Sequence, residues 1–292
     1  MKRVALLVTG KTEEVLHQSL KRVFPGEGVT FVMRPPREGF TSTPLLETPL
    51  RGTEDKPTAA EKLAQALVAE VDPGRRDEEP PDLVVLVDDL ELYNVEWPER
   101  AIEYIRTAVS THVDRRYSSE TARQRALSRV RARCSFHLLC PMVEAYFYAE
   151  GAALDRADAK RASMFEAKLV DAESFEVADP DFLTHPDRPK KGDLPPWATP
   201  DRACHPKRYL QFLCDPTGKE KRAYKETEGG RAALRELDWP AVLAPSTHVR
   251  FIRSLIHDLA DALDEPAIAA QFPGDTHPAT WPPCAGNLLR NV

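Results

Sequence analysis

The sequence has no long apolar run and no closely spaced cysteine pairs. None of its hydrophobic stretches approaches the ~20 residues that a membrane-spanning helix needs, so we expect no membrane span. Its five cysteines are odd in number and include no CxxC pair, which argues against a disulfide framework. The basic N-terminus also shows no signal-peptide cleavage pattern. These absences together predict a cytoplasmic protein.

An excess of positive charge is also missing. The net charge of −6 argues against a chain-wide attraction to nucleic acid and leaves only a local basic patch open. Hydrophobic residues make up 42% of the 292 positions, which is enough for a real core. The 26 prolines exceed the usual share of about 5% and concentrate in loops, notably 34–56 and 178–206. The composition predicts a compact core with long, stiff excursions.

The glycine-rich loop of an ATPase is absent as well. Gly10-Lys11-Thr12 follows the first predicted strand and resembles the end of a P-loop. A P-loop needs a glycine five residues before Gly10, and Ala5 stands there instead. Without that cradle of backbone donors the triphosphate has no binding site, so we expect no ATP hydrolysis by this chain.

Strands and helices alternate in the first half of the sequence. This alternation predicts an α/β fold with a mostly parallel sheet flanked by helices. The predicted strands are 3–9, 29–33, 83–88 and 134–139, and the predicted helices are 12–23, 57–70, 97–116 and 119–132.

The strand signal fades after about residue 150. The pattern predicts helices at 152–167, 206–214, 228–237 and 246–263, and a proline-rich tail from Pro266 that lies over the surface. We therefore predict an α/β domain at 1–150 and a helical C-terminal extension at 151–292 packed on it, with a long proline-rich loop at 178–206.

A short apolar run, Val84 to Val87, ends in the acids Asp88, Asp89 and Glu91. Flanking prolines and its length favour a buried parallel strand, whose carboxyl end is where open α/β sheets bind ligands. Clustered carboxylates repel one another unless they share a cation. Two interpretations remain open, a cation site and a solvated acidic exit from the strand.

Glu144 is the lone acid in an apolar and aromatic segment that follows Pro141. Proline favours the first position of a helix, so we predict that a helix begins there. A carboxylate among apolar neighbours needs a partner if it is buried. Glu144 either faces solvent or caps a basic side chain, or it is a fourth acid directed at the strand ends.

A basic stretch precedes the strand at 134–139. Such runs are usually solvated, but contact with a phosphate backbone is the second interpretation. The candidate nucleic-acid-binding residues are Lys11, Arg129, Arg131, Arg133, Lys207 and Arg208.

Several short motifs are spread over nearly the whole chain. They are Thr9-Gly10-Lys11-Thr12-Glu13, Asp88-Asp89-Leu90-Glu91, Phe136-His137, Glu144-Ala145-Tyr146, Pro206-Lys207-Arg208-Tyr209-Leu210, Tyr224-Lys225-Glu226-Thr227 and Leu237-Asp238-Trp239. Together they resemble the Toprim fold, and more closely a Toprim-like bacterial family often encoded beside ATPases in defence islands.

The resemblance implies a divalent-metal-dependent nuclease, or a nuclease subunit, of a bacterial anti-phage defence module. It implies a DNA or RNA substrate and a partner ATPase. The implied catalytic residues are Glu13, Asp88, Asp89 and Glu91, and these with Glu144 would bind Mg²⁺ or Mn²⁺.

The chain departs from the pattern at two places. At the acidic exit, neither Asp88 nor Asp89 has a second aspartate two residues later, and the nearest pattern is Asp89-Leu90-Glu91. The other departure is at the end of the first predicted strand. The resembled enzymes have a glutamate before the glycine, and this chain has Thr9, whose hydroxyl is a poor magnesium ligand and no base at neutral pH. Glu13 would partly replace that glutamate. The Thr9 departure keeps a second interpretation open, a catalytically degenerate scaffold that binds a partner ATPase.

Overall fold

The sheet confirms the predicted fold class. A computed structural model of the chain describes residues 1–53, 56–73, 79–166, 171–185, 202–220, 223–244, 247–284 and 286–292. The strands are β1 (Lys2–Val8), β2 (Val29–Met33), β3 (Leu83–Asp89) and β4 (Cys134–Leu139). They form one all-parallel sheet in the order β2-β1-β3-β4. Each strand lies within one residue of its predicted bounds.

Helices cover both faces of this sheet. The helices are α1 (Leu16–Val23), α2 (Ala59–Val71), α3 (Pro98–Arg116), α4 (Glu120–Arg133), α5 (Gly151–Arg156), α6 (Pro180–Leu183), α7 (Pro206–Cys214), α8 (Arg231–Arg235), α9 (Trp239–Val242), α10 (Arg250–Leu263) and α11 (Pro266–Gln271). Short 3-10 helices span Glu13–Val15, Leu92–Asn94, Val143–Ala149, Ala172–Ser174 and Arg202–Cys204, and a π-helix spans Glu226–Gly230. Within the described ranges, no helix combines the length and apolar character needed to cross a membrane.

The alternation of side chains along the strands divides the core in two. Leu7 and Leu86 face one side of the sheet and pack against α2, α3 and α4. Val8 and Val87 face the other side, where α1 packs together with the C-terminal helices. The C-terminal part therefore supplies most of one helical layer, and each layer excludes water from one face of the strands.

Three predictions about local structure were wrong. The helix expected at 152–167 ends at Arg156, and no helix follows among the described residues up to 166. The helix expected at Pro141 begins only at Val143 and is a 3-10 helix. The tail contains α11, and its last residues are buried rather than spread over the surface. Residues 186–201 of the predicted proline-rich loop lie outside the described residues.

The end of the chain closes one edge of the sheet. The Asn291 side chain accepts a hydrogen bond from the Phe136 backbone N–H at 2.9 Å and donates one to the Phe136 carbonyl at 2.7 Å. The backbone N–H of Arg290 donates to the Cys134 carbonyl at 2.7 Å. Polar groups of the edge strand β4 that would otherwise lack partners are thereby paired.

Candidate metal centre

The acids predicted from the sequence gather where β1, β3 and β4 end. Val8 pairs with Val87 and Asp89 pairs with Leu139, so the carboxyl ends of these strands lie side by side. Glu13 follows β1 in the 3-10 helix that leads into α1. A parallel sheet thus brings residues from distant parts of the chain to one edge.

Asp88 and Asp89 leave the sheet on opposite faces because they are consecutive in a strand. Asp88 lies on the side of α2 and accepts a hydrogen bond from the Thr9 hydroxyl, with further contacts to Thr41 and the Phe40 backbone. Burial raises the pKa of Asp88 to about 6, although these hydrogen bonds lower it. Its second oxygen, Oδ2, is buried and has no hydrogen-bond partner among the described residues.

Asp89 lies on the side of α1, together with Glu13. The Val143 backbone N–H donates to Asp89 Oδ1 at 3.0 Å, which fixes the carboxylate against the turn after β4. Burial raises the pKa of Asp89 well above its usual value, and Glu13 and Glu91 raise it further. Burial and Glu144 likewise raise the pKa of Glu13 to about 8.

Gly10 makes room for the Glu13 carboxylate. A Cβ atom at position 10 would lie 1.8 Å from Glu13 Oε2, so any other residue there would displace the acid. Glu13 is 4% exposed, and its Oε2 has no hydrogen-bond partner within the described part of the chain. The glycine that resembles part of a P-loop in the sequence therefore accommodates a carboxylate rather than a phosphate.

Glu91 has a strained backbone. Its φ of 63° and ψ of 153° lie in a region that is essentially restricted to glycine. Its backbone N–H donates to the Pro141 carbonyl at 2.7 Å, which ties the β3 exit to the β4 exit. Burial raises the pKa of Glu91 to about 8, and Lys207 partly counters this. Strain of this kind is common at functional sites, where surrounding contacts hold it in place.

Glu144 is buried and directed at the same edge. It is 2% exposed, and its Oε1 accepts a hydrogen bond from the Tyr224 hydroxyl at 2.9 Å. Burial raises the pKa of Glu144, and Lys207 lowers it. The structure excludes a solvent-facing Glu144, and it brings this carboxylate near both Glu13 and the basic side chain of Lys207.

The C-terminal part adds a cation and another acid. Lys207, at the start of α7, forms an ion pair with Glu226, Nζ to Oε1, at 2.7 Å. Burial lowers the pKa of Lys207, but Glu144 and Glu226 raise it more, so the net shift is upward. The Tyr224 hydroxyl fits beneath Gly230, where a Cβ would lie 2.4 Å from the oxygen.

The basic residues of α4 do not join this cluster. Arg129 pairs with Asp72, Arg131 donates to the Asn287 carbonyl, and Arg133 donates to the Pro81 carbonyl. Arg133 precedes β4, whereas the acids follow the strands, so roughly 17 Å of strand separates them. Of the other basic candidates, exposed Lys11 follows β1, and Lys207 and Arg208 open α7.

The donor chemistry of the cluster fits a hard divalent cation. Glu13, Asp89, Glu91 and Glu144 supply carboxylate oxygens, the ligand type that Mg²⁺ prefers. Glu13 and Glu91 each have a buried oxygen without a hydrogen-bond partner among the described residues, and such oxygens are available to bind an ion. Among the described residues, however, no three His, Cys, Asp or Glu side chains already stand at metal-ligand geometry. Binding therefore requires these side chains to converge.

Two members of the cluster, Tyr224 and Glu226, have no role assigned from the sequence. Both belong to the Tyr-x-Glu-Thr motif, so the sequence marked this segment but did not show which residues it would contact. Their place beside Glu144 depends on a contact that spans 80 residues of the chain.

No protein-family model, no curated protein and no solved structure matches this chain. The parallel sheet is consistent with the fold that the Toprim resemblance implies.

Proposed function

We propose that this protein is a Toprim-like, divalent-metal-dependent nuclease or a nuclease subunit. The observation that carries the proposal is a set of four buried or half-buried carboxylates at the carboxyl edge of a parallel sheet. Burial raises the pKa of each of them, and neighbouring acids, which for Glu144 means Glu226, raise it further. Such an arrangement costs folding free energy, and a bound cation is the usual compensation.

Glu13, Asp89, Glu91 and Glu144 would hold Mg²⁺ or Mn²⁺. The ion, when bound, supplies an activated water and stabilises the negative charge that develops on a scissile phosphate. The Val143 N–H orients Asp89, and the Tyr224 hydroxyl orients Glu144. Asp88 lies behind the cluster and interacts with it through its charge, because its carboxylate leaves the opposite face of the sheet.

Mn²⁺ titration by calorimetry, with nuclease assays on single- and double-stranded DNA and RNA, tests this proposal. We expect binding by the natural chain and metal-dependent cleavage of at least one substrate. Asp89→Asn should weaken Mn²⁺ binding at least tenfold and abolish cleavage while the protein remains folded. The matched control is Asp181→Asn, which alters an exposed acid paired with Arg161 on another part of the surface. Absence of Mn²⁺ binding by the natural chain would exclude the enzyme proposal.

A second candidate is a degenerate Toprim-like scaffold that binds a partner ATPase. Thr9 favours it, because Thr9 donates a hydrogen bond to Asp88 where the resembled enzymes place a further carboxylate. Such a scaffold would bind the ATPase without needing Mn²⁺. If the natural chain binds no Mn²⁺ and cleaves nothing but forms a stable complex with that ATPase, the scaffold function is supported.

A further inference from the structure

The acidic cluster already contains one positive charge, which the C-terminal part of the chain supplies. Lys207 lies 2.7 Å from Glu226 and is close enough to Glu144 and Glu91 to interact with both electrostatically. Its side chain is only 27% exposed. An ammonium in this position neutralises part of a charge that the fold otherwise buries without compensation.

The carboxylates fall into two groups around this lysine. Glu226 and Glu144 are engaged by Lys207 and the Tyr224 hydroxyl. Glu13 and Glu91, in contrast, each keep a buried oxygen with no hydrogen-bond partner in the described part of the chain. The oxygens that are available to bind an ion are therefore at the strand ends. The side of the cluster near Glu226 is already paired with the Lys207 ammonium group.

We propose that Lys207 is a resident cation that takes the place of a second metal ion, so that the centre binds a single divalent cation. This inference rests on the proposed metal site and specifies its stoichiometry. The one ion would be held at the Glu13, Asp89 and Glu91 end, and Glu144, which also interacts with Lys207 and Tyr224, would be its fourth ligand. A second divalent ion beside Glu226 is excluded because it would have to displace, or lie against, the ammonium group.

The stoichiometry of Mn²⁺ binding, measured by calorimetry with MnCl₂, tests the proposal. The natural chain should bind one Mn²⁺. Lys207→Met removes the ammonium and keeps the length of the side chain, so this variant should bind two. Lys207→Arg keeps the charge and should still bind one. Adding Glu226→Gln to Lys207→Met should return the number to one, because the second ion loses a ligand.

Lys225→Met is the matched control. Like Lys207, Lys225 forms an ion pair with a glutamate, in this case Glu228 at 2.9 Å, but the Lys225 side chain is exposed. This variant should bind one Mn²⁺ with unchanged affinity. A second Mn²⁺ in Lys225→Met would show that any lost surface charge has the same effect, and would overturn the assignment to Lys207.

The outcomes separate this inference from the proposed function. If the natural chain and Lys207→Met each bind one Mn²⁺, the inference about Lys207 is overturned and the proposed metal-dependent function is unaffected. No Mn²⁺ in the natural chain but one in Lys207→Met would overturn both, because Lys207 would then take the place of the only ion and not of a second one. Two Mn²⁺ in the natural chain, or none in either protein, would overturn the inference.

A measurement on the natural chain keeps the proposal testable if Lys207→Met does not fold. Acetylation of lysines by acetic anhydride, followed by mass spectrometry, reports whether Lys207 stays in the cluster. Its acetylation rate relative to Lys225 should change less than twofold when Mn²⁺ binds, because the ion and the ammonium occupy different places. A tenfold rise would show that Mn²⁺ expels Lys207, and would overturn the proposal.

Discussion

The Thr9 hydroxyl donates a hydrogen bond to Asp88 Oδ1 across the β1–β3 pair. This bond lowers the pKa of Asp88, although burial still raises that pKa to about 6. The bond gives a neutral donor at a position where the resembled enzymes have an acid. Thr9 therefore stabilises the ionised form of Asp88 without adding to the repulsion within the cluster.

Thr9→Glu should tighten Mg²⁺ binding about tenfold, or about 1.4 kcal/mol, because it adds a second negative charge beside Asp88, which already acts on the cluster through its charge. It should also lower the melting temperature of the metal-free protein, since Asp88 then faces a second carboxylate. Calorimetry and thermal unfolding measure the two effects. Thr9→Val is the control, because it removes the hydroxyl without adding charge and should not tighten Mg²⁺ binding. Equal Mg²⁺ affinity in the natural chain and Thr9→Glu would contradict the prediction.

Asp89→Asn and Glu91→Gln should each weaken Mg²⁺ binding at least tenfold while leaving the metal-free melting temperature unchanged or higher. Each substitution keeps the shape of the side chain and removes one of several repelling charges. In Asp89→Asn the Oδ1 acceptor for the Val143 N–H is retained. Thermal unfolding with and without Mg²⁺ gives the comparison. A fall of many degrees in the metal-free variants would instead identify these acids as structural.

The metal-free protein should lose stability between about pH 5 and pH 8. Asp88, with a pKa of about 6, and Glu13 and Glu91, with pKa values of about 8, bind protons more tightly in the folded chain than in the unfolded chain. Their contribution to the free energy of unfolding is therefore complete below about pH 4 and is lost as the pH rises through 6 to 8.

Added Mg²⁺ should reverse this trend, because its ligands must be deprotonated. Melting temperatures measured from pH 5 to pH 8.5 test both statements, with Glu13→Gln as the variant that should flatten the metal-free profile. A metal-free melting temperature that rises steadily from pH 6 to pH 8 would be incompatible with the raised pKa values.

Glu91→Gly should stabilise the metal-free protein while weakening Mg²⁺ binding. The backbone strain at Glu91 costs about 1–3 kcal/mol, and glycine removes it at an entropic cost of about 0.5–1 kcal/mol. Relief of charge repulsion adds to the gain. Glu91→Gln separates the two causes, because it removes the charge and keeps the strain. Should both variants melt at the same temperature, strain at this position contributes nothing measurable.

Asn291→Ala should destabilise the protein by about 2 kcal/mol or more. The substitution leaves the backbone N–H and carbonyl of Phe136 without their partners at a buried edge. Chemical denaturation provides the measurement. Asn287→Ala is the matched control nearby, since the Asn287 side-chain nitrogen has no hydrogen-bond partner in the described part of the chain. Equal stability losses in the two variants would show that the pairing at β4 is unimportant.

The strands were predictable because each is a short, continuous apolar run bounded by turn residues, the pattern of a strand buried on both faces. The acids after β3 were predictable for the same reason, since the end of a parallel strand defines their place. The prediction of a helix at 152–167 was wrong because it relied on the local helix propensity of Ala and charged residues, which packing overrides here. In the structure helix α5 ends at Arg156, and the residues that follow pack against α7 instead.

The C-terminal members of the cluster could not be located from the sequence. Lys207 and Glu226 meet only because α7 and the π-helix pack on the same layer, and no periodic pattern encodes that contact. The sequence suggested instead that Lys207 belongs with the arginines before β4. The parallel sheet separates them, because one group lies at the amino end of the strands and the other at the carboxyl end.

The order in which the cluster's groups occur along the chain has a consequence for biosynthesis. Glu13, Asp89, Glu91 and Glu144 leave the ribosome before Lys207, Tyr224 and Glu226 are made. Until then the acids lack their ammonium partner, and Val8 and Val87 lack much of the layer that covers them. Folding of the centre therefore follows translation of Glu226. A prematurely terminated product would expose an apolar sheet face and become a substrate for chaperones or proteases.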